Sequence, residues 1–251
     1  MSDPVLREIA ASGVMWTATG EGVLLNTLKA QGSVESPREP NLYRPYRLDS
    51  PEPGTYCWFR DDRLSDLIGF EYRSWDGGHA AEHFVHEIEL AAGRWNAPER
   101  PIISIILDGE NAWEHYPYNG YYFLSALYEK LGRHAAIRMT TYRDWLSDPA
   151  HRARAVPLPH VTAGSWVYGD LTTWVGSPDK NAGWDLLVAA KQCYDLVMGS
   201  NRLDDATRER AARQLAVCES SDWFWWFGDI NPAAAVRAFD ALYRHNLVNL
   251  Y

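Results

Sequence analysis

Two carboxylates one glycine apart, Asp108 and Glu110, close an apolar run in "PIISIILDGENAWEHYPYNGYY". A carboxyl group at the mouth of an apolar strand is partly desolvated, which favours its protonated form and suits a proton donor near neutral pH. The same pair also fits plain turn chemistry, with Asp108 capping the next turn and Glu110 in solvent. Spacing alone leaves both readings open. A second pattern is "HAAEH", where His79 and His83 stand one helical turn apart with Glu82 between them. That is the H-x-x-E-H order of zinc hydrolases, with two ligands and a base, and His86 and Glu87 follow on the same segment. The third chemical signal is aromatic: 12 Trp and 14 Tyr gather in "YCWF", "NAWEHYPYNGYY" and "SDWFWWFGD" instead of recurring at helical intervals. Such rings fill cores, and they also offer flat faces with a polar handle for stacking against sugars or bases.

The elements that would position these groups alternate. Residues 3–12 read as an amphipathic helix, "VMWTAT" and "YCWFRD" as strands, and "DGGHAAEHFVHEIELAAG" as a helix from a glycine pair to Gly93. "PIISIILD" is a continuous apolar run of strand length, the kind expected when both faces of a parallel strand are covered. A helix follows over 119–131, then a strand in "AIRMTTY" and a short helix in "YRDWLSD". The proline-rich stretch 31–54 reads as a long loop. From about residue 179, three helical patterns follow one another with no strand between them. This order predicts an α/β fold with a parallel sheet or (β/α) barrel, and Asp108 at the carboxyl end of a strand, where such folds place their chemistry. Only about four strands are credible, too few to close a barrel.

A net charge of −9 and a pI near 5.4 argue against nucleic acid or an anionic membrane as partner. The start "MSDPVLREIAASG" has no signal-peptide pattern and no window reaches membrane-spanning length, so the chain reads as cytoplasmic. Cys57, Cys193 and Cys218 form no C-x-x-C pair and read as reduced thiols. No cofactor is called for.

"ILDGENAWEHYPYNGYYFLSALYEKL" resembles the fourth conserved region of glycoside hydrolase family 57, which contains α-amylases, amylopullulanases and glucanotransferases. "ASGVMWTATGEGVL", "LYRPY", "FRDDRLSDLIGFEY", "GSWVYGDLTTWVGSPDKNAGWDLL" and "ESSDWFWWFGD" resemble successive family segments in the family's order. The resemblance implies a (β/α)7 barrel with a C-terminal helical domain and a retaining mechanism with a Glu nucleophile and an Asp acid/base. On it, Asp108 falls on the acid/base. Glu110, Trp113 and His115 fall in the same loop. Trp166, Asp170 and Trp174, and Asp222 and Trp223, fall on segments that line or support a sugar cleft. The substrate implied is an α-glucan or maltooligosaccharide.

The family's nucleophile lies in a "WPSEGS"-like segment just before the stretch that matches "SDPVLREIAASGVMW", which here starts at residue 2. The resemblance therefore implies the later strands of a (β/α)7-type barrel in residues 1–163 and a cleft loop with a helical region in 164–251. It also implies no nucleophile in this chain, through a truncated gene, a misplaced start or a split enzyme. Such a chain is expected to be inactive alone, with a homo-oligomer or a separate N-terminal half covering its exposed sheet edge. The spare carboxylates Glu21, Asp61, Glu114, Asp170 and Asp222 read as structural or sugar-binding groups. Two departures from the family pattern stand out: Gly20 replaces a usually acidic residue, and "GDINP" lacks the usual Asp-His pair. Two rival functions remain, a non-catalytic α-glucan-binding or assembly module and a zinc-dependent hydrolase using His79, Glu82 and His83.

Overall fold

A β-branched and aromatic stretch following a glycine becomes β1 (Trp16–Gly20), and the equally apolar "YCWFR" becomes β3 (Tyr56–Arg60). In the computed structural model, which describes residues 1–33, 38–48, 54–109, 112–200 and 202–250, these two strands pair in parallel, with Trp16 opposite Tyr56 and Gly20 opposite Arg60. β2 (Tyr46–Leu48) joins β3 antiparallel, and β4 (Val156–Leu158) joins β2 in parallel, giving the order β1-β3-β2-β4. β3 is one of the two inner strands, with Cys57, Trp58 and Phe59 all buried. Burial alone pushes the Cys57 thiol up to about 12.

This mixed sheet corrects the expectation of an all-parallel partial barrel. β2 lies inside the stretch read as a loop. Neither "PIISIILD" nor "AIRMTTY" is a strand. Residues 101–108 are mostly half-buried, with Ser104 buried and Asp108 exposed, and their backbone bonds include Ile102 N–H to Tyr43 O, Asp61 N–H to Ser104 O, and Ile106 N–H to Ser65 Oγ. A ladder needs a strand alongside, and here β3 has already turned into the short helix α4 (Asp62–Asp66). In "AIRMTTY" the N–H groups of Ala136 and Ile137 both bond the His134 ring, which bends the chain away from strand geometry.

The helices over 3–11, 77–93 and 121–133 fall close to their expected places, whereas the one over 38–42 lies in the stretch 31–54 that reads as a loop. α1 (Asp3–Ala11), α2 (Glu21–Ala30) and α3 (Arg38–Leu42) flank the first strands. α5 (Gly77–Gly93) starts on an Asp76 side chain that accepts from His79 N–H at 3.0 Å. α6 (Tyr121–Arg133) packs along α5, and Phe84, Ile88, Phe123 and Leu127 join the core beneath the sheet. α7 (Tyr142–Ser147) and α8 (Pro149–Arg152) lead into β4.

The chain divides into two units, Met1–Asp170 and Leu171–Tyr251. The second unit holds α9 (Pro178–Gly199), α10 (Asp205–Cys218), α11 (Asp222–Trp226) and α12 (Ala233–Val248) around Phe224, Phe227 and Tyr243. Among the described residues of this unit one cation is buried, and backbone satisfies it: the Lys180 ammonium donates to Thr173 O at 2.7 Å and Phe224 O at 2.6 Å. No helix among the described residues is long and apolar enough to cross a membrane.

Within the first unit, three glycines let the loop 164–169 close onto the corner between β1 and α2. A Cβ at Gly22 would lie 2.9 Å from Gly169 Cα, and one at Gly164 would lie 2.3 Å from Gly169 O. Gly22→Ala is expected to lower unfolding stability by about 1–3 kcal/mol through overpacking. Gly132→Ala, on open α6 surface, is expected to raise it by roughly 0.5–1 kcal/mol. Urea unfolding followed by circular dichroism checks both.

Candidate active site

The parallel strands β1 and β3 end side by side on acid: Glu21 follows Gly20, and Asp61 and Asp62 follow Arg60. Adjacent carboxylates at a buried strand end need cations. Arg38 supplies one, reaching Glu21 through Nη2 at 2.5 Å and Nε at 3.1 Å, and Asp61 through Nη2 at 2.9 Å and Nη1 at 3.3 Å. Asp61 is fully buried, and it also accepts from Tyr43 OH at 2.5 Å and Leu64 N–H at 2.9 Å. Burial by itself would push the Asp61 carboxyl up. The bonds from Arg38, Leu64 and Tyr43 outweigh it and hold the carboxyl below the usual range. Tyr43 moves the other way, raised by burial and by Asp61.

Arg60 supplies the second cation. Its guanidinium bonds Asp62 at 2.7 Å and Asp66 at 2.6 Å, while Nε donates to Ile106 O at 2.9 Å. Asp62 N–H in turn donates to Glu21 Oε2 at 3.0 Å. The Asp62 carboxyl is pushed up by burial, with Arg60 opposing and the Glu21 charge adding. The segment before Asp108 is therefore held at Ser104 by Asp61 N–H and at Ile106 by both Ser65 and Arg60.

Asp108 itself is exposed, so the described residues do not bury it as a strand mouth was expected to do. Glu110 lies outside the described residues. Trp113 is half-buried against the core, and His115 is exposed beside Glu114 at 3.6 Å. Past them the backbone turns left-handed at three consecutive residues, Tyr118 (φ 53), Asn119 (φ 53) and Gly120 (φ 79). For the two that are not glycine this costs about 1–2 kcal/mol each. Two anchors hold it: Tyr116 OH donates to Ile68 O at 2.5 Å, and Gly120 packs so closely under Trp113 that a Cβ would lie 2.8 Å from its ring.

Trp166 is half-exposed on the glycine-docked loop, and Asp170 ends that loop with its backbone O accepting from Ser165 N–H at 2.9 Å. A Cβ at Gly20 would lie 2.7 Å from Trp166 Cα. The loop as placed thus excludes a side chain where the family pattern has an acid. In the second unit, Trp174 lies 5.8 Å from Trp225 ring to ring, and Asp222 is exposed at the start of α11. Trp223 is buried, with its indole N–H on Val217 O at 2.8 Å and its ring beside Phe239 and Tyr243. Sequence reasoning missed Arg38, Arg60, Tyr43, Ser65 and Asp62. The signal for two of them was available, because "RDDRLSD" alternates charge directly after a buried strand.

The described geometry gives the zinc reading no support. Among the described residues no group of three His, Cys, Asp or Glu side chains comes together to hold a metal ion. His83 Nδ1 is engaged by Tyr72 OH at 2.7 Å, and its other nitrogen faces Glu87 at 3.7 Å.

Asp61→Asn is expected to cost roughly 2–4 kcal/mol at pH 7 by breaking a buried ion pair. Because the native pKa is depressed, this contribution is present above the unfolded value of about 4 and disappears as pH falls through the lower native value. The gap between wild type and variant in urea unfolding should therefore close below about pH 4.

The architecture is shared with solved structures. A GH57-type branching enzyme from the hyperthermophilic archaeon Pyrococcus horikoshii is similar over 96% of this chain and 49% of its own length, at 16% identity and a TM-score of 0.66. A GH57 branching enzyme from Thermococcus kodakaraensis, in complex with glucose and additives, is similar over 86% of this chain and 46% of its own, at 15% identity and a TM-score of 0.64. A 4-alpha-glucanotransferase from Thermococcus litoralis follows with 97% and 35% coverage, 14% identity and a TM-score of 0.50. At these identities the likeness is one of fold, and the chain spans half or less of the length of each. The family model for glycosyl hydrolase family 57 matches residues 1–159, well over half of the 251 residues and including Asp108, and the chain belongs to that family.

Proposed function

We propose that this chain is the acid/base-bearing part of a retaining α-glucan hydrolase or transglycosylase, with Asp108 as proton donor and the attacking carboxylate supplied by a different segment of polypeptide. The observation that carries the reading is the family match across Asp108, on a segment clamped at Ser104 and Ile106. In such a reaction Asp108 would protonate the glycosidic oxygen as that bond breaks. It would then take a proton from the water or sugar hydroxyl that attacks the glycosyl intermediate. Retention needs a second carboxyl about 5–5.5 Å away. Two of the spare carboxylates, Glu21 and Asp61, are both tied to Arg38, which lowers their nucleophilicity and fits a structural role.

The remaining positions divide by burial. Trp166, half-exposed, offers a face for stacking on a sugar ring, and Glu110, Trp113, His115 and Asp170 are proposed as sugar-binding residues of the first unit. Trp174 and Asp222 are proposed as sugar-binding residues of the second unit taken by itself, where Trp223 is buried and supports α11. The exposure of Trp166 also supports the second reading, a glucan-binding module without turnover.

The open edge of β1 supports a partner. Among the described residues β1 pairs only with β3, and Trp16, with Val14 and Met15 just before the strand, is exposed. A further strand, from a separate polypeptide that supplies the missing carboxylate or from a second copy, would pair there.

The purified chain is expected to leave maltoheptaose intact, as read by chromatography of the sugars over hours. Turnover that Asp108→Asn abolishes would overturn the split-site reading. In sedimentation the chain is expected as a dimer or larger species, and a clean monomer would remove the partner at β1.

A further inference from the structure

Three tyrosines at the entry to α6, Tyr118 in the turn before it and Tyr121 and Tyr122 in its first turn, have no role in the site described above. Tyr118, Tyr121 and Tyr122 are 76%, 64% and 57% exposed, among the most exposed aromatic side chains of the first unit. They are in mutual contact. Tyr122 stands edge-on to Tyr118 at 5.3 Å and 88° and to Tyr121 at 5.4 Å and 80°. Among the described residues none of their hydroxyls has a hydrogen-bond partner. Tyr128, on the same face of α6 as Tyr121 two turns on, is also exposed, with the small Ser125 between them.

Leaving three large rings in water forgoes the gain from burying them, and the left-handed backbone at Tyr118 and Asn119 adds strain. Tyr116 and Trp113 use their burial to hold that backbone in place, and the result is to turn Tyr118 outward. A loop that needed only to reach α6 would require neither. Rings set at right angles with free hydroxyls suit a ligand that presents C–H faces and hydroxyls along a curved path. An α-linked glucan, which winds, does so, whereas a β-linked glucan is a flat ribbon. A polyanion is disfavoured by the charge of −9.

We propose that Tyr118, Tyr121 and Tyr122 form an α-glucan-binding surface, stacking pyranose faces on their rings and bonding sugar hydroxyls through their phenols. The proposal rests on the reading of the chain as α-glucan-acting but not on any turnover by it.

The test is electrophoresis of the full chain in native gels containing glycogen, or hydroxyethylcellulose as the β-linked control. Wild type is expected to be retarded by glycogen alone. Y118A/Y121A/Y122A is expected to raise the apparent Kd about tenfold, while Y118F/Y121F/Y122F, which keeps the rings, should lose no more than a few-fold. Matching circular dichroism spectra establish that each variant is folded. Retardation by glycogen that survives the triple alanine change but is lost in Trp166→Ala overturns this proposal and leaves the wider α-glucan reading standing. No retardation of wild type overturns both. Tyrosine-dependent self-association in sedimentation, without glycogen retardation, would make the patch a protein contact and also overturn it.

Discussion

A carboxylate taken entirely out of water has to be matched, and in this chain that carboxylate is Asp61. Arg38 matches it from one side and, in doing so, ties the end of β3 to Glu21 at the end of β1. Three further groups of the same residues extend the connection. The Asp61 N–H holds Ser104, its side chain caps α4 through Leu64, and Ser65 on that helix holds Ile106. The position of the segment that presents Asp108 therefore depends on this buried ion pair together with the Arg60 bond to Ile106 O. If Arg38 were lost, Asp61 would have to protonate or move, and Ser104 would move with it.

Side-chain clamps in place of a strand ladder give the site a particular character. Its conspicuous parts, the Asp108 segment, the Trp166 loop and the tyrosine loop, are all irregular backbone, each held by a different device. The first is held by charge, the second by glycines that admit close backbone contact, and the third by a buried tyrosine and an indole over Gly120. Sites on loops tolerate exchange of side chains without disturbing the sheet. Gly20 illustrates the coupling between them, since an acid there could return only if the Trp166 loop moved away.

Where the sequence was readable, one signal dominated its neighbours. α5, α9, α10 and α12 carry sustained helical periodicity, and β1 and β3 carry β-branched and aromatic runs, so their placement followed from local preference. "PIISIILD" has the same apolar texture as β3 and was read the same way, but a strand is defined by its partner, and β3 ends in a helix just where the partner is needed. β2 failed in the opposite sense, hidden among prolines and recruited by the sheet. For the candidate site, Asp108 stood out through its motif and through an expected strand end that the structure does not form. Arg38 and Asp61 were not legible as a pair, because 22 intervening residues separate them and nothing local in either says that they meet.

The central proposal is that Asp108 acts as proton donor at an α-glucan site whose attacking carboxylate comes from a different segment of polypeptide. A retaining enzyme forms a covalent glycosyl intermediate on its attacking carboxylate, and an activated fluoroglucosyl fluoride traps that species. Intact-protein mass spectrometry after incubation of the purified chain with such a reagent tests the claim most directly. The account predicts an unmodified mass. One glucosyl adduct per chain, mapped to any Asp or Glu of this sequence, would contradict it.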